Sequence, residues 1–239
     1  MTVQEVTVEP ACRVKKTKSI LVINPKGGVA KTTTVQNLIV AAVMDGFKVL
    51  GVDMDPQRSL SGWYQMRCAR LPKDHQIDFD LAETEVPHWR EAWEHAPNYD
   101  VVIVDTPPSV DGAMAAIYEL TKTVDFILIP VSTTDIEIRI ATAWMEQFQK
   151  RRLRNVRFLM TRIPDTRRLS YAAAQDVLSK HGLIMSTIIP SREDVARASN
   201  AGDAVVEYAG LKGQSEYAAL WNNLKFEMNM MEVCDDGCA

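Results

Sequence analysis

Short apolar runs that stop at polar loops, each followed by a helix-forming stretch, dominate this sequence. The first three runs lie at 19–23 (SILVI), 47–53 (FKVLGVD) and 99–105 (YDVVIVD). Three more lie at 124–131 (VDFILIPV), 156–161 and 183–189. A run of this length that is apolar without alternation reads as a strand covered on both faces. Helical patterns fill 32–45, 59–70, 87–95, 111–121, 136–152, 169–181, 192–201 and 214–231, with Gly46 and Gly182 at expected helix ends. Residues 71–86 are irregular, with a short strand expected at 77–81. Trp144, Met145 and Phe148 fall at helical spacing and read as a buried stripe. Strands alternating with helices specify βαβ units. The expected fold class is therefore α/β: a doubly wound, mainly parallel β-sheet flanked by helices. Such sheets bind ligands outside the carboxyl ends of their strands, so the loops after the first three runs are where chemistry is to be sought.

The 239 residues suit one large domain, placed at 19–231, with a polar flexible arm at 1–18 and a disordered acidic tail at 232–239. The formal net charge is −4, so nucleic acid could be held only by a local basic patch. Four cysteines, Cys12, Cys68, Cys234 and Cys238, are too few for a disulfide scaffold and fit a reducing cytoplasm. Cys234 and Cys238 alone supply too few ligands for a metal. No apolar run approaches 18 residues, and the first 18 residues lack the apolar core of a signal peptide.

The loop after the first run reads NPKGGVAKTTT, from Asn24 to Thr34. The common phosphate-loop pattern is G-x-x-x-x-G-K-[ST]. Lys31 and Thr32 fill its last two places, but Pro25 and Ala30 stand in its glycine places. Backbone N–H groups of such a loop, with the helix N-terminus behind it, form an anion cradle. Lys31 would then reach the β- and γ-phosphates, and the Thr32 hydroxyl would ligate Mg²⁺. After the second run, Asp53 and Asp55 place two carboxylates at a strand end, which is costly unless a cation or a proton-transfer role compensates. After the third, Asp105 follows four apolar residues, where a carboxylate holds Mg²⁺ through water. Each has an ordinary explanation: a βα turn with a chance Lys-Thr pair, an Asp-Pro turn, and a helix N-cap, for which Ser109 or Asp111 is better placed. Three such motifs in this order, each at a strand's carboxyl edge, point instead to a nucleotide site.

The stretches KGGVAKTTT, DMDPQ and VVIVDTPPS resemble the ParA/MinD group of ATPases, which carry a variant phosphate loop K-G-G-x-G-K-[ST]. The resemblance runs from about residue 19 to residue 224. NPKGG and DPQRSLSGW look closest to the small ParA proteins that partition plasmids or position cargo. The resemblance implies a Mg²⁺-dependent, slow ATP hydrolase that binds ATP and ADP. It implies a sandwich homodimer with ATP, non-specific DNA binding in that state, and stimulation by a ParB-like or cargo-adaptor partner. The location it implies is cytoplasmic, on the nucleoid in the ATP state.

By position, the resemblance gives Lys26 as the lysine that reaches the partner's ATP. Gly27, Gly28, Val29 and Ala30 are the phosphate loop, Lys31 its Walker A lysine, Thr32 the Mg²⁺ ligand and Thr33 an α-phosphate contact. Asp55 orients or activates the attacking water, Asp53 lies beside the metal and Asp105 matches the Walker B aspartate of the Mg²⁺ site. Residues 188–202 resemble the segment that covers the adenine, and Arg162 and Pro190 are expected nucleotide contacts. Catalytic roles thus fall to Lys26, Lys31 and Asp55, and Mg²⁺ to Thr32, Asp53 and Asp105. Pro25 belongs to the variant loop; Ala30 departs from it. If that place needs a positive φ, alanine costs roughly 1 kcal/mol or more; if it is helical, the methyl group costs little. Tolerance is the expectation.

Two basic runs, 150–157 (KRRLRNVR) and 165–168 (DTRR), hold six arginines within 18 residues. Arg192, Arg197 and Lys212 lie in stretches that resemble the group's DNA-contacting region. A MinD-like membrane helix is not expected, because the chain ends EMNMMEVCDDGCA, whose acidic charges anionic lipid would repel. An iron–sulfur role is excluded by the lack of cysteine between Cys68 and Cys234, and no tyrosine-rich tail of a kinase is present. Two alternatives remain: a nucleotide-dependent switch that does not hydrolyse, and a ligase of the dethiobiotin-synthetase kind.

Overall fold

The computed structural model describes residues 16–70, 78–110, 112–164 and 168–230. The arm before residue 16, Cys12, residues 71–77, Asp111, residues 165–167, and the tail with Cys234 and Cys238 lie outside the described residues.

Seven strands form one sheet in the order β3-β2-β4-β1-β5-β6-β7, with every pairing parallel. They are β1 (Lys18–Val22), β2 (Val49–Asp53), β3 (Asp80–Glu83), β4 (Val101–Asp105), β5 (Phe126–Val131), β6 (Val156–Ile163) and β7 (Ile189–Pro190). The helices are α1 (Lys31–Met44), α2 (Ser59–Arg70), α3 (Trp89–Trp93), α4 (Met114–Thr123), α5 (Asp135–Lys150), α6 (Arg168–Ser179), α7 (Glu193–Asn200) and α8 (Gln214–Glu227).

The period of two in each strand divides the core into two layers. Ile20 and Val22 of β1 face α1, α2, α7 and α8, through residues such as Leu38, Trp63, Val195 and Leu220. Leu21 faces the other way, toward α3, α4, α5 and α6, through Trp89, Ile117, Met145 and Leu178. Central strands buried on both faces explain why the runs lack alternation. Met145 and Phe148 are buried and Trp144 packs beside them, so the stripe on α5 is core.

Three expectations need correction. The segment 183–189 forms only a single bridge, Phe158 to Ile184, before the two-residue β7. Its middle is held instead by α8, where Asn223 Nδ2 donates to Ser186 Oγ at 2.8 Å and Thr187 Oγ1 at 2.6 Å. The strand expected at 77–81 lies at Asp80–Glu83, where Leu50 to Asp53 of β2 supply a ladder. Helix α4 starts at Met114 rather than 111, after a turn in which Ala113 N bonds to Val110 O.

The register places the motifs. Val22, Asp105 and Asp53 are direct partners across β1, β4 and β2, so all three loops leave the sheet at one level.

Candidate nucleotide site

The loop from Asn24 to Ala30 joins β1 to α1. Its base is fixed by Asn24, whose Nδ2 donates to Pro130 O at 2.7 Å and whose Oδ1 accepts from Lys26 N at 2.8 Å. Thr161 Oγ1, from β6, donates to Val29 O at 3.1 Å. Gly28 has φ 77°, and Arg162 Nη1 donates to its carbonyl. Ala30, the N-cap of α1, has φ 65° and ψ 31° and makes no side-chain cap. It therefore adopts the left-handed conformation, in which alanine is strained, and the tolerance expected of a helical position does not apply. With no side-chain cap, the first N–H groups of α1 are left for an anion.

Lys31 is buried, with its Nζ donating to Lys26 O at 3.0 Å. Burial holds its ammonium below the usual lysine range, against the opposing pull of Asp105 and Asp55. Thr32 Oγ1 donates to Asp105 Oδ2 at 2.6 Å. Burial pushes the Asp105 carboxyl up to about 7, the Thr32 hydroxyl draws it down, and Asp53 adds to the rise. The other oxygen, Asp105 Oδ1, is buried without a hydrogen-bond partner. An unpaired carboxylate oxygen beside a threonine hydroxyl is a donor set that fits Mg²⁺. Among the described residues no three His, Cys, Asp or Glu form a metal cage. Mg²⁺ needs none, being held by one or two protein oxygens with phosphates and water.

Asp53 is wholly buried and supports the second loop. Its Oδ1 accepts from Asp55 N at 3.0 Å, and its Oδ2 accepts from Ser61 N at 2.9 Å and Ser61 Oγ at 2.8 Å. Asp55, itself buried, accepts from Gln57 N at 2.9 Å. Arg58, at φ 51°, donates to Asp53 O and Thr84 O and closes the turn.

A cavity of about 330 Å³ opens beside this cradle. Its lining includes Gly28, Ala30, Thr33 and Arg162 with Ile189, Pro190, Val195 and Ala196. A largely apolar cavity next to an anion cradle suits a nucleobase and its ribose. Thr33, Arg162 and Pro190 thus line one cavity. Arg192 also lines this cavity. Arg197 pairs with Asp194, and Lys212 N donates to Asp194 Oδ2 at 3.1 Å. Those two contacts, the Lys212 N–H foremost, hold the Asp194 carboxyl below the usual range.

The run 150–157 lies elsewhere, where α5 ends and β6 begins, at the amino edge of the sheet. There Arg151 sits 3.4 Å over the Tyr118 ring and Arg157 pairs with Glu227 at 2.8 Å, while Arg152 and Arg154 are exposed. Lys26 is exposed, and Gly27 lies on the same open loop with Pro108 against it. Sequence reasoning missed Asn24, Ser61 and Thr161, whose bonds hold the loops in place. Asn24 lay in the motif; the other two carry no local signal. Among the described residues, no helix is long and apolar enough to cross a membrane.

The chain is 34% identical over 197 residues to a "Maintenance of carboxysome distribution protein A" of Gloeobacter kilaueensis, covering 82% of each chain. Its fold matches the MinD cell division protein of Aquifex aeolicus with a TM-score of 0.70 at 22% identity, over 87% of this chain and 97% of that one. It matches a putative plasmid partition protein of Borrelia burgdorferi, solved with AMPPNP, with a TM-score of 0.67 at 18% identity, over 90% and 100%. The model of the family described as CbiA, the CobQ/CobB/MinD/ParA nucleotide binding domain, matches residues 20–205, most of the chain with all three loops, and the chain belongs to that family.

Proposed function

We propose that this chain is a Mg²⁺-dependent ATPase of ParA type that dimerises on ATP, binds DNA without sequence preference in that state, and lets go after hydrolysis. The observation that carries the reading is the level register of Val22, Asp105 and Asp53, which brings Lys31, Thr32, Asp105 and Asp55 around one point. ATP and ADP are the nucleotides, and the protein works in the cytoplasm, on the nucleoid when ATP is bound.

In this reading the loop N–H groups and Lys31 hold the β- and γ-phosphates, and Thr33 meets the α-phosphate. Thr32 and Asp105 would hold Mg²⁺, with Asp53 beside it. When bound, Mg²⁺ would supply positive charge against the phosphate oxygens. Asp55 orients the attacking water and accepts its proton. Lys26, on the open rim, reaches the nucleotide of a second copy, so ATP becomes part of the dimer interface and hydrolysis times its release.

Arg192, Arg197 and Lys212 contact DNA phosphates, and a ParB-like or cargo-adaptor protein stimulates turnover. The relative named for carboxysome distribution supports a cargo-positioning role, alongside plasmid or chromosome partition. The test is DNA binding with ATP, ADP and no nucleotide at two salt concentrations, with phosphate release followed in parallel. Binding that ignores the nucleotide would refute the timer. The strained Ala30 favours one second reading, a switch that binds ATP without hydrolysis; bound ATP with no phosphate release, even with DNA and partner present, would select it.

A further inference from the structure

Helix α2 starts at the loop that carries Asp55 and is bonded along its length to the segment after α7. Its first turn is fixed by Asp53, through Ser61 N and Oγ at 2.9 and 2.8 Å. Further along, Trp63 Nε1 donates to Asp203 O at 3.0 Å. One turn later Arg67 Nη1 donates to Gly202 O at 3.3 Å and to Glu207 Oε2 at 2.8 Å, while Nη2 donates to Glu207 Oε1. Arg70 pairs with Asp203.

The Arg67 side chain is 1% exposed and that of Glu207 13%. The two backbones meet closely: Gly202 has φ 79°, and a Cβ there would lie 2.8 Å from Arg67 N. Glu207 also accepts from Ala204 N at 2.8 Å, closing the turn in which it sits. Helix α7 runs directly into this turn, and its Val195 and Ala196 line the cavity beside Ala30 and Thr33.

A buried ion pair is a poor way to gain stability, because desolvation offsets attraction and an apolar pair of equal volume often does as well. What a two-pronged guanidinium–carboxylate contact adds is orientation. Here it fixes α2, whose first turn Asp53 grips, against the turn that ends α7. Coupling between sites requires such a shared element, biased from both ends.

We propose that the Arg67–Glu207 pair is a positioning joint that transmits the state of the Asp53–Asp55 loop, at the phosphate end of the site, to α7 at the base end. The presence of a γ-phosphate beside Asp55 then sets where α7, and with it the Arg197–Asp194–Lys212 cluster, comes to rest. Arg67 and Glu207 touch no nucleotide and act only through the elements they join. The inference rests on the nucleotide reading of the site.

Amide hydrogen exchange of the full chain with Mg²⁺ and either ADP or β,γ-imido-ATP tests it. In the wild type, the difference between the two nucleotides should show at residues 54–61 and again at 202–207. In the double variant Arg67→Met, Glu207→Leu, the apolar pair keeps α2 packed. The difference should persist at 54–61 and fall several-fold at 202–207. Arg67→Lys, which keeps the charge and loses the fork, should give the same loss and serves if the double variant does not fold. A wild-type difference confined to 54–61, or one that survives at 202–207 in the variants, would overturn the joint while the nucleotide site stands. No protection of residues 24–33 by either nucleotide would overturn the site itself, and the joint with it.

Discussion

The hydroxyl of Thr32 donates to Asp105 Oδ2 at 2.6 Å and leaves Oδ1 buried and unpartnered. The contact ties the start of α1 to the end of β4 and spends one carboxylate oxygen of two. A carboxylate this deep is a liability for folding and an asset for metal binding, and the two effects separate with pH.

Without metal, the folded Asp105 carboxyl sits at about 7 against an ordinary value of 3.8. Its folded value is raised, so its contribution is fully present below about pH 4 and is lost as pH climbs to about 7. Above that, an ionised buried group weighs against folding by up to about 4 kcal/mol, at about 1.4 kcal/mol per unit. Asp105→Asn should therefore raise the melting temperature of metal-free protein at pH 8 and change it little at pH 4. The same variant should lose the Mg²⁺-dependent part of nucleotide affinity. Thermal melts at both pH values, with and without Mg²⁺, check this; an equal effect at both would remove Asp105 as the buried titrating group.

Ala30, at φ 65°, gives a second prediction. Ala30→Gly relieves a strain of about 1 kcal/mol, but a more flexible unfolded chain takes back a similar amount. Folding stability should stay within about 1 kcal/mol of wild type. Nucleotide affinity should hold or rise, since the loop no longer opposes its own bound shape. Ala30→Val puts a β-branched residue in the same conformation and should lower both. Calorimetric titration with ADP decides; tighter binding by Ala30→Val would show that the position is not strained.

What the sequence made legible follows from how local the signals are. Apolar runs revealed β1, β2, β4, β5 and β6 because central strands are buried on both faces, and the motifs revealed which edge of the sheet carries the site. The strand β7 was overextended because Asn223, far along the chain, takes Ser186 and Thr187 out of the ladder. The φ of Ala30 could not be read, since the same letters suit a helical start. Arg67 carries no local signal, because its partner Glu207 lies 140 residues away. Nor could the sequence separate the basic groups, which only the fold sends to opposite edges of the sheet.

Lys26 and Lys31 should fail in different ways. The Lys26 side chain is exposed on the rim, with no hydrogen bond or ion pair among the described residues, whereas Lys31 is buried between the loop and Asp105. Lys26→Ala should leave stability within about 0.5 kcal/mol and leave ADP affinity nearly unchanged, while abolishing ATP-dependent dimerisation. Lys31→Ala should lose nucleotide affinity itself. Sedimentation with ATP and with ADP, alongside nucleotide titration, distinguishes them; an ATP-dependent dimer of Lys26→Ala would end the proposed role across the interface.

The two basic groups set up the last prediction. Arg197 and Lys212 are joined through Asp194 in the first turn of α7, the helix whose Val195 and Ala196 line the nucleotide cavity. Arg152 and Arg154 stand at the amino edge of the sheet, with no described contact to any of the three loops. Only the first pair is placed to sense the nucleotide. Reversing charge at both Arg197 and Lys212 should abolish ATP-dependent DNA binding, and each single change should lower the salt dependence by about one phosphate contact. Reversing Arg152 and Arg154 should weaken binding weakly and equally with ATP, ADP or no nucleotide. Filter binding across a salt series measures both. If the amino-edge pair proved to carry the ATP-dependent part, DNA would lie on the far side of the sheet from the nucleotide, and the link from hydrolysis to release would have to pass through β5 and β6 instead of α7.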